Sequence, residues 1–501
     1  MTSARSRIVS LRALRLTAHA CLILVLAPEL FAGAFTRTLT RAEQLERGGQ
    51  FLAAETLLRQ ELARPGLSET QRQQLEFERE RLSRLRREYR LTSRELLEAL
   101  AQSVNGLTAA EFDRWISEGR FDGRRIDGTM RFANASARNL FFRYPDLAAR
   151  RLAPPDTLPE QRAYLENALA IQGAARASHQ PYVLPKRFEI KMTVLVAPNT
   201  APTGQVIRAW LPVPRQYPFQ GPLQLLDSSS TVRQLAPAQS AIRSAYLEQP
   251  AEADGGAVFW LKYAFTAQGV SFDLDPDRVH RRRHLPPDLR PFVAEAPHVV
   301  FTEPMRQLAW EIAGYETNPL LKAKKFYDWV SDHIQYSFAP EYSTIRNLGE
   351  RCLSRRYGDC GMEALVFITL CRVAGIPARW QSGWTIFPGA EDIHDWCEIH
   401  LDPYGWVPVD PYMGIYAKQC ATGLQPDERR QLRDFYFGGV SQYRVTVNSD
   451  HCQNLVPPKR SFRSDPVDFQ RGELETEGRN LYFDRFDYIL SWEETPLTAP
   501  K

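Results

Sequence analysis

The chain lacks several features, and each absence narrows what it can be. No run approaches the roughly 20 apolar residues needed to cross a bilayer, so no segment reads as a retained membrane span. There is no Gly-rich phosphate loop and no dinucleotide fingerprint, which removes the common nucleotide-binding classes. Paired C-x-x-C spacing is missing, so a structural zinc site of that kind is not expected. Charge of one sign is not in excess: Lys plus Arg number 63 against 59 Asp plus Glu, a net charge of +4. Most of that surplus is Arg5, Arg7, Arg12 and Arg15, opposed only by Glu29 within residues 1–34. The remainder is close to neutral, and its charge suggests no nucleic-acid partner. Proline is scarce at the front, since only Pro28 and Pro65 of the 35 prolines precede position 141. Helices can therefore occupy that region, while the middle is left to strands and loops.

What is present is ample material for packed cores. The 501 residues are 44% hydrophobic and include 10 Trp, 19 Tyr and 26 Phe, enough for roughly three domains. The four arginines are followed by the apolar run Cys21-Leu22-Ile23-Leu24-Val25-Leu26-Ala27 and the small triplet Ala32-Gly33-Ala34. A positive start, a short apolar middle and a small-residue cleavage site make residues 1–34 an expected signal peptide. The mature chain is then expected to be exported, to a periplasmic or extracellular space, with no stable membrane span after cleavage. Beyond Cys21, the six cysteines Cys352, Cys360, Cys371, Cys397, Cys420 and Cys452 all lie in the last third. They are too sparse for a disulfide scaffold, although Cys371 and Cys397 read as buried thiols or bridge partners.

Periodicity organises the rest. Ala42 to Leu62 and Glu69 to Tyr89 carry apolar residues at three- and four-residue steps, with Ser68 and Gln71 offering a capping box. Alternation over Phe188–Val196, Val206–Pro212 and Ala257–Ala264 marks strands of a β domain. Asp273, Asp275 and Asp277 look like the opening of a calcium loop. Arg278 and His284 stand where that loop needs Gly and a closing Glu, so no metal is expected. Helical spacing returns over Glu303–Tyr315 and Pro319–Tyr336.

The chemistry is concentrated after that point. Tyr357-Gly358-Asp359-Cys360-Gly361 precedes a helical stretch ending at Gly375-Ile376-Pro377, which puts Cys360 at a helix N-terminus with Asp359 as its cap. Unpaired N–H groups and the helix dipole there favour a thiolate, so the Cys360 pKa is expected to be lowered. His394-Asp395-Trp396-Cys397-Glu398 and Gly405-Trp406-Val407-Pro408-Val409-Asp410-Pro411 follow as candidate strands. Thiol, imidazole and carboxylate are the parts of acyl transfer through a thioester. On the residues alone, His400 competes with His394 for the base, and Asp395 and Asp402 compete with Asp410. Tyr336 or Tyr357 could add to the Cys360 N–H as an oxyanion donor. Trp380, Trp384, Trp396 and Trp406 could line the approach.

The motifs Gly358-Asp359-Cys360, Gly375-Ile376-Pro377-Ala378-Arg379, His394-x-Trp396-x-Glu398 and Gly405-Trp406 through Asp410-Pro411, in that order, resemble the transglutaminase-like superfamily of papain-related cysteine enzymes. The resemblance covers about residues 303–415. It implies an α+β fold with a papain-like core, in which the cysteine helix packs on an antiparallel sheet. It also implies Cys360 as nucleophile, His394 as general base and then acid, and Asp410 as the residue that fixes the imidazole, with no cofactor. The expected division is a signal peptide (1–34), a mainly helical region (35–180), a β-rich domain (181–300), the catalytic core (301–420) and a C-terminal β extension completing it (421–501). The expected activity is thiol-dependent acyl transfer on protein or peptide amides, hydrolytic rather than cross-linking. The alternative is a catalytically silent scaffold that kept the fold.

Overall fold

A computed structural model describes Gly33, residues 35–280 and residues 284–497. The signal-peptide reading therefore lies outside the described residues apart from Gly33. Among the described residues no helix is long and apolar enough to cross a membrane.

Two compact units emerge. The first comprises residues up to Leu96 together with Phe121–Asn134. The pattern over Ala42 to Leu62 predicts one continuous helix, but the chain forms two, over 35–47 and Phe51–Leu62. Gly49 makes the break: its φ is +74°, and a Cβ there would sit 2.8 Å from the Arg125 carbonyl oxygen. A continuous helix would abolish that left-handed turn. The long helix Glu69–Glu88 begins at the anticipated capping box of Ser68 and Gln71. Its charged stripe is partly internal, since Arg81 is buried and bonds Glu46 and Glu78. The hairpin of Gly123–Ile126 and Thr129–Phe132 belongs to this unit as well.

The second unit, Leu97–Arg120 with everything from Ala135, holds three larger antiparallel sheets. In the first, Ala257–Ser271 and Tyr182–Val196 lie side by side and Phe486–Thr495 adds to the outer edge of the latter. The expected alternation is visible in Phe188, Ile190, Met192 and Val194, all fully buried. In the second, Val206–Pro212 lies between Ser244–Pro250 and Glu473–Thr476. The third runs in the order Gly405–Val409, Ala390–Leu401, Ala378–Phe387, Arg444–Asn448. Of the C-terminal strands, only Arg444–Asn448 extends this third sheet, and the later ones close the other two. The middle and the end of the chain are thus interleaved.

The third sheet joins two cores. Trp384, Ile386, Val445 and Val447 enter the core shared with the strands of residues 188–265. Ala378, Trp380, Cys397, Ile399, Val407 and Val409 enter a second core built around the helix Cys360–Val373. That helix is buried continuously from Gly361 to Arg372, with only Glu363, Thr369 and Arg372 polar among those residues, so it is an interior helix. It packs against the helices Leu348–Arg355, Glu303–Ala313 and Pro319–His333 and against the third sheet. This is an α+β fold with a cysteine helix on an antiparallel sheet.

Candidate active site

Asp359 caps the cysteine helix by accepting from the Met362 N–H at 3.2 Å. Cys360 follows it, half-buried at the first helical position. The next residue has to be glycine, because a Cβ on Gly361 would lie 2.6 Å from the Trp380 ring and 2.7 Å from Asp395 Oδ2. Asp395 can therefore reach the thiol, and Cys360 Sγ donates to Asp395 Oδ2 at 3.7 Å. Tyr342 Oη bonds both Asp359 Oδ1 at 2.8 Å and Asp395 Oδ2 at 3.1 Å. One hydroxyl has one proton, so two ionised carboxylates cannot both be fully satisfied by it. The electrostatics agree: burial pushes Asp359 up to about 6, and burial with the neighbouring Asp359 pushes Asp395 well above the usual range.

Cys360 departs from expectation. Burial, then Asp395 and Asp359, push its thiol well above 9.0 instead of lowering it. The helix N-terminus contributes about half an elementary charge, whereas the carboxyls of Asp395 and Asp359 stand beside the largely buried sulfur. Desolvation and like charge outweigh the dipole.

The imidazole of His394 lies on the neighbouring strand Ala390–Leu401, paired across the sheet with Gly383. It is 5% exposed, stacks on Trp396 and meets Tyr412 edge-on. Its Nε2 lies 2.9 Å from Asp410 Oδ2, and no described residue hydrogen-bonds its Nδ1. Because Asp410 is held below the usual carboxylate range, it takes the proton-bearing nitrogen, which leaves Nδ1 as the lone-pair nitrogen. Burial and then Arg444 lower the His394 pKa, with Asp410 opposing, so the ring is neutral near pH 7. Asp410 is itself over-determined. Its Oδ1 caps the short helix Pro411–Ile415 through the Met413 N–H, and its Oδ2 also accepts from Arg444 at 2.8 Å.

The predicted residues thus fall in one region, with a qualification. His394 and Asp410 are bonded, whereas the thiol of Cys360 bonds Asp395 and not the imidazole. His400 and Asp402 are elsewhere, lining a different cavity with Arg290 and Lys322. Trp380, Trp384 and Trp396 do not line the approach; at 0%, 1% and 2% exposure they are core, because these strands are covered on both faces. Tyr336 lines the cavity at Cys360, whereas Tyr357 lies beneath the Arg143 guanidinium. None of the six cysteines beyond Cys21 is bridged.

Three site residues were not legible in the sequence: Tyr342, Arg444 and Gln470. The Gln470 amide donates to the carbonyls of Gly383 and His394 at 2.9 Å and to Asp395 Oδ1 at 3.0 Å, pinning the two strands where the imidazole emerges. Tyr342 and Gln470 lie in segments with no periodicity of their own, and Arg444, although on the strand Arg444–Asn448, meets Asp410 only through the fold, so spacing carried no signal for them.

Residues 306–411 match the family model described as the transglutaminase-like superfamily. The uncharacterised protein YebA of Bacillus subtilis is 26% identical over 132 residues, 23% of this chain and 18% of that protein. An uncharacterised protein of Haemophilus influenzae is 26% identical over 151 residues, 25% of this chain and 40% of that protein. The matches thus span less than half of either curated relative. Among solved structures, a candidate cysteine protease from Cytophaga hutchinsonii is similar at 16% identity and TM-score 0.41, covering 64% of this chain and 94% of that one. The periplasmic domain of TgpA from Pseudomonas aeruginosa is similar at 17% identity and TM-score 0.25, covering 54% and 96%.

Proposed function

We propose, taking residues 306–411 as a transglutaminase-like core, that the chain is a thiol-dependent acyltransferase acting on protein or peptide amides, with water as its usual acceptor. Cys360 is the nucleophile, His394 the proton carrier and Asp410 the residue that orients the imidazole. The observation that carries this reading is the placement of His394: a buried ring with Nε2 on Asp410 and Nδ1 bonded by no described residue, on the strand whose Asp395 meets the thiol.

The chemistry follows in balanced steps. The Cys360 thiol gives its proton to His394 Nδ1 as the sulfur bonds the amide carbonyl carbon, and the carbonyl electron pair moves to oxygen. The backbone N–H of Cys360, at the helix start with no intrahelical partner, supports that oxyanion. Collapse breaks the C–N bond, and the imidazolium protonates the departing amine. Water then gives a proton to His394 as its oxygen bonds the thioester carbon; collapse breaks the C–S bond, the imidazolium returns the proton to the Cys360 sulfur, and the acid leaves. An amine in place of water would give a cross-link by the same steps. Export of the mature chain is part of this proposal and rests on the composition of residues 1–34.

A silent scaffold is favoured by one observation, the Cys360 thiol bonded to Asp395 and not to the imidazole. The two readings separate on a single experiment. Peptide libraries are scored for hydrolysis and for amine incorporation with the wild type, Cys360→Ala and His394→Ala, while iodoacetamide labelling is mapped by mass spectrometry. Loss of turnover in both variants, with Cys360 labelling ahead of the buried Cys371 and Cys397, supports the enzyme. Unchanged turnover in Cys360→Ala refutes it.

A further inference from the structure

Beside Cys360 lies a cavity of about 210 Å³ whose charge exceeds what thiol chemistry requires. Asp395, Asp465 and Asp468 line it and are 3%, 5% and 7% exposed. Asp359 adjoins them, and Arg471 is the one cation on the lining. Arg471 is already committed, because its guanidinium forks onto Glu341 at 2.9 and 2.5 Å and only approaches Asp465, at 4.0 Å. Arg138 is outside, over the Phe338 ring. Apart from Glu341, which pairs with Arg471, and Asp392, four carboxylates thus face a cavity whose lining offers no unspent positive charge.

Three of the four have evident uses. Asp359 caps the cysteine helix, Asp395 bonds Tyr342, Gln470 and the thiol, and Asp465 Oδ1 accepts the N–H groups of Val467 and Asp468. Asp468 has none. Its main chain is satisfied, with the N–H on Asp465 and the carbonyl accepting from Arg463, but among the described residues nothing donates to its side-chain oxygens. A carboxyl more than nine-tenths buried, turned toward a cavity and bonded by no donor among the described residues, is suited to meet a cation there. A cation entering the cavity would satisfy it. Phe338, Ala339 and Pro340 supply an apolar flank along which a methylene stem can lie while its charged end reaches the carboxylates.

We propose that this cavity is a specificity pocket for a basic side chain, lysine or arginine, on the substrate peptide next to the amide under attack, with Asp468 as its anchoring carboxylate. The proposal rests on the reading of Cys360 as the reactive thiol, and it adds the class of substrate that thiol meets. Asp395 and Asp465, pushed up by burial, lose their protons more readily with a cation beside them and then add to its negative surroundings. Asp392, exposed at the rim, guides the approach.

The test uses reagents of one warhead and different charge. Cys360 in the full chain is modified with 2-aminoethyl methanethiosulfonate, which is cationic, and with methyl methanethiosulfonate, which is neutral. Each rate is divided by that of the same reagent with free cysteine, and Cys360→Ala provides the background from other thiols. The expected result is a preference of about tenfold for the cation, falling to near parity in Asp468→Asn. A ratio at or below one in the wild type, or one unchanged in Asp468→Asn, overturns the proposal. Binding of a lysine peptide and its norleucine counterpart to Cys360→Ala, by calorimetry, decides independently of labelling and of the folding of Asp468→Asn. Equal affinity refutes the pocket. Neither readout needs turnover, so cation selectivity without hydrolysis would sink the enzyme reading alone, and hydrolysis without selectivity would sink the pocket alone.

Discussion

Replacing Asp395 by Asn gives the sharpest measure of what surrounds the sulfur. Its Oδ2 lies 3.7 Å from Cys360 Sγ, close enough that thiolate and carboxylate repel. Two unit charges at that distance oppose each other by about 1 kcal/mol in bulk water and by about 4.5 kcal/mol at an effective dielectric of 20. The half-buried sulfur lies between those limits. With about 1.4 kcal/mol for each pH unit, loss of the Asp395 charge should bring the Cys360 ionisation midpoint down by about one to three pH units. Asp395 and Cys360 titrate as a pair, so the wild-type midpoint belongs to both, and the variant leaves one group where there were two. The assay is the rate of iodoacetamide alkylation of Cys360 against pH, with each cysteine followed by mass spectrometry. The other thiols stay out of the way: Cys352, Cys371 and Cys397 are buried, and Cys420 and Cys452 are pushed up to about 12. A midpoint that stays or rises in Asp395→Asn would show that Asp395 acts as a protonated donor supporting the thiolate, and would refute this electrostatic account.

Three further outcomes are expected. Arg444→Gln removes the cation that bonds Asp410 and lowers the His394 pKa, so the His394 ring should titrate at higher pH by NMR; a downward move would contradict the arrangement. Glu363 is fully buried on the cysteine helix with neither carboxyl oxygen bonded, so Glu363→Met should stabilise the protein by about 1–3 kcal/mol in urea titrations. Because burial raises the folded pKa of Glu363 above the usual 4.5, the native state keeps a proton that the unfolded chain has lost, and its stability contribution fades as pH rises from 4.5. The gain from Met should thus be larger at pH 8 than at pH 5, and an equal or reversed gain would contradict this. Gly361→Ala should lower stability by about 1–3 kcal/mol, because the clash with the Trp380 ring and Asp395 exceeds the roughly 1 kcal/mol of helix propensity gained. A stabilised variant would mean that the close approach at Gly361 is not real.

Local physics determined a good part of this protein from the sequence alone. The cap at Asp359, the helix from Cys360, the alternating strands of residues 188–196 and the interior character of the cysteine helix all follow from neighbours a few positions apart. His394 and Asp410 share that legibility, because His394 lies on the strand Ala390–Leu401 and Asp410 directly follows the strand Gly405–Val409 that joins it through a short turn. The break at Gly49 is not written in its neighbours, because the Arg125 carbonyl that shapes the turn lies in a hairpin far along the chain. The protonation of Cys360 likewise depends on distant residues. A helix start is a local property, but the burial around the thiol and the Asp395 carboxylate held beside it by Tyr342 and Gln470 are not. Only the tertiary structure brings together Arg444 with Asp410, Gln470 with Asp395, and Asp468 with the cavity at Cys360. Short-range hydrogen bonding and periodicity are written in adjacent residues, whereas charge and desolvation act through space and depend on which distant segments the fold makes neighbours.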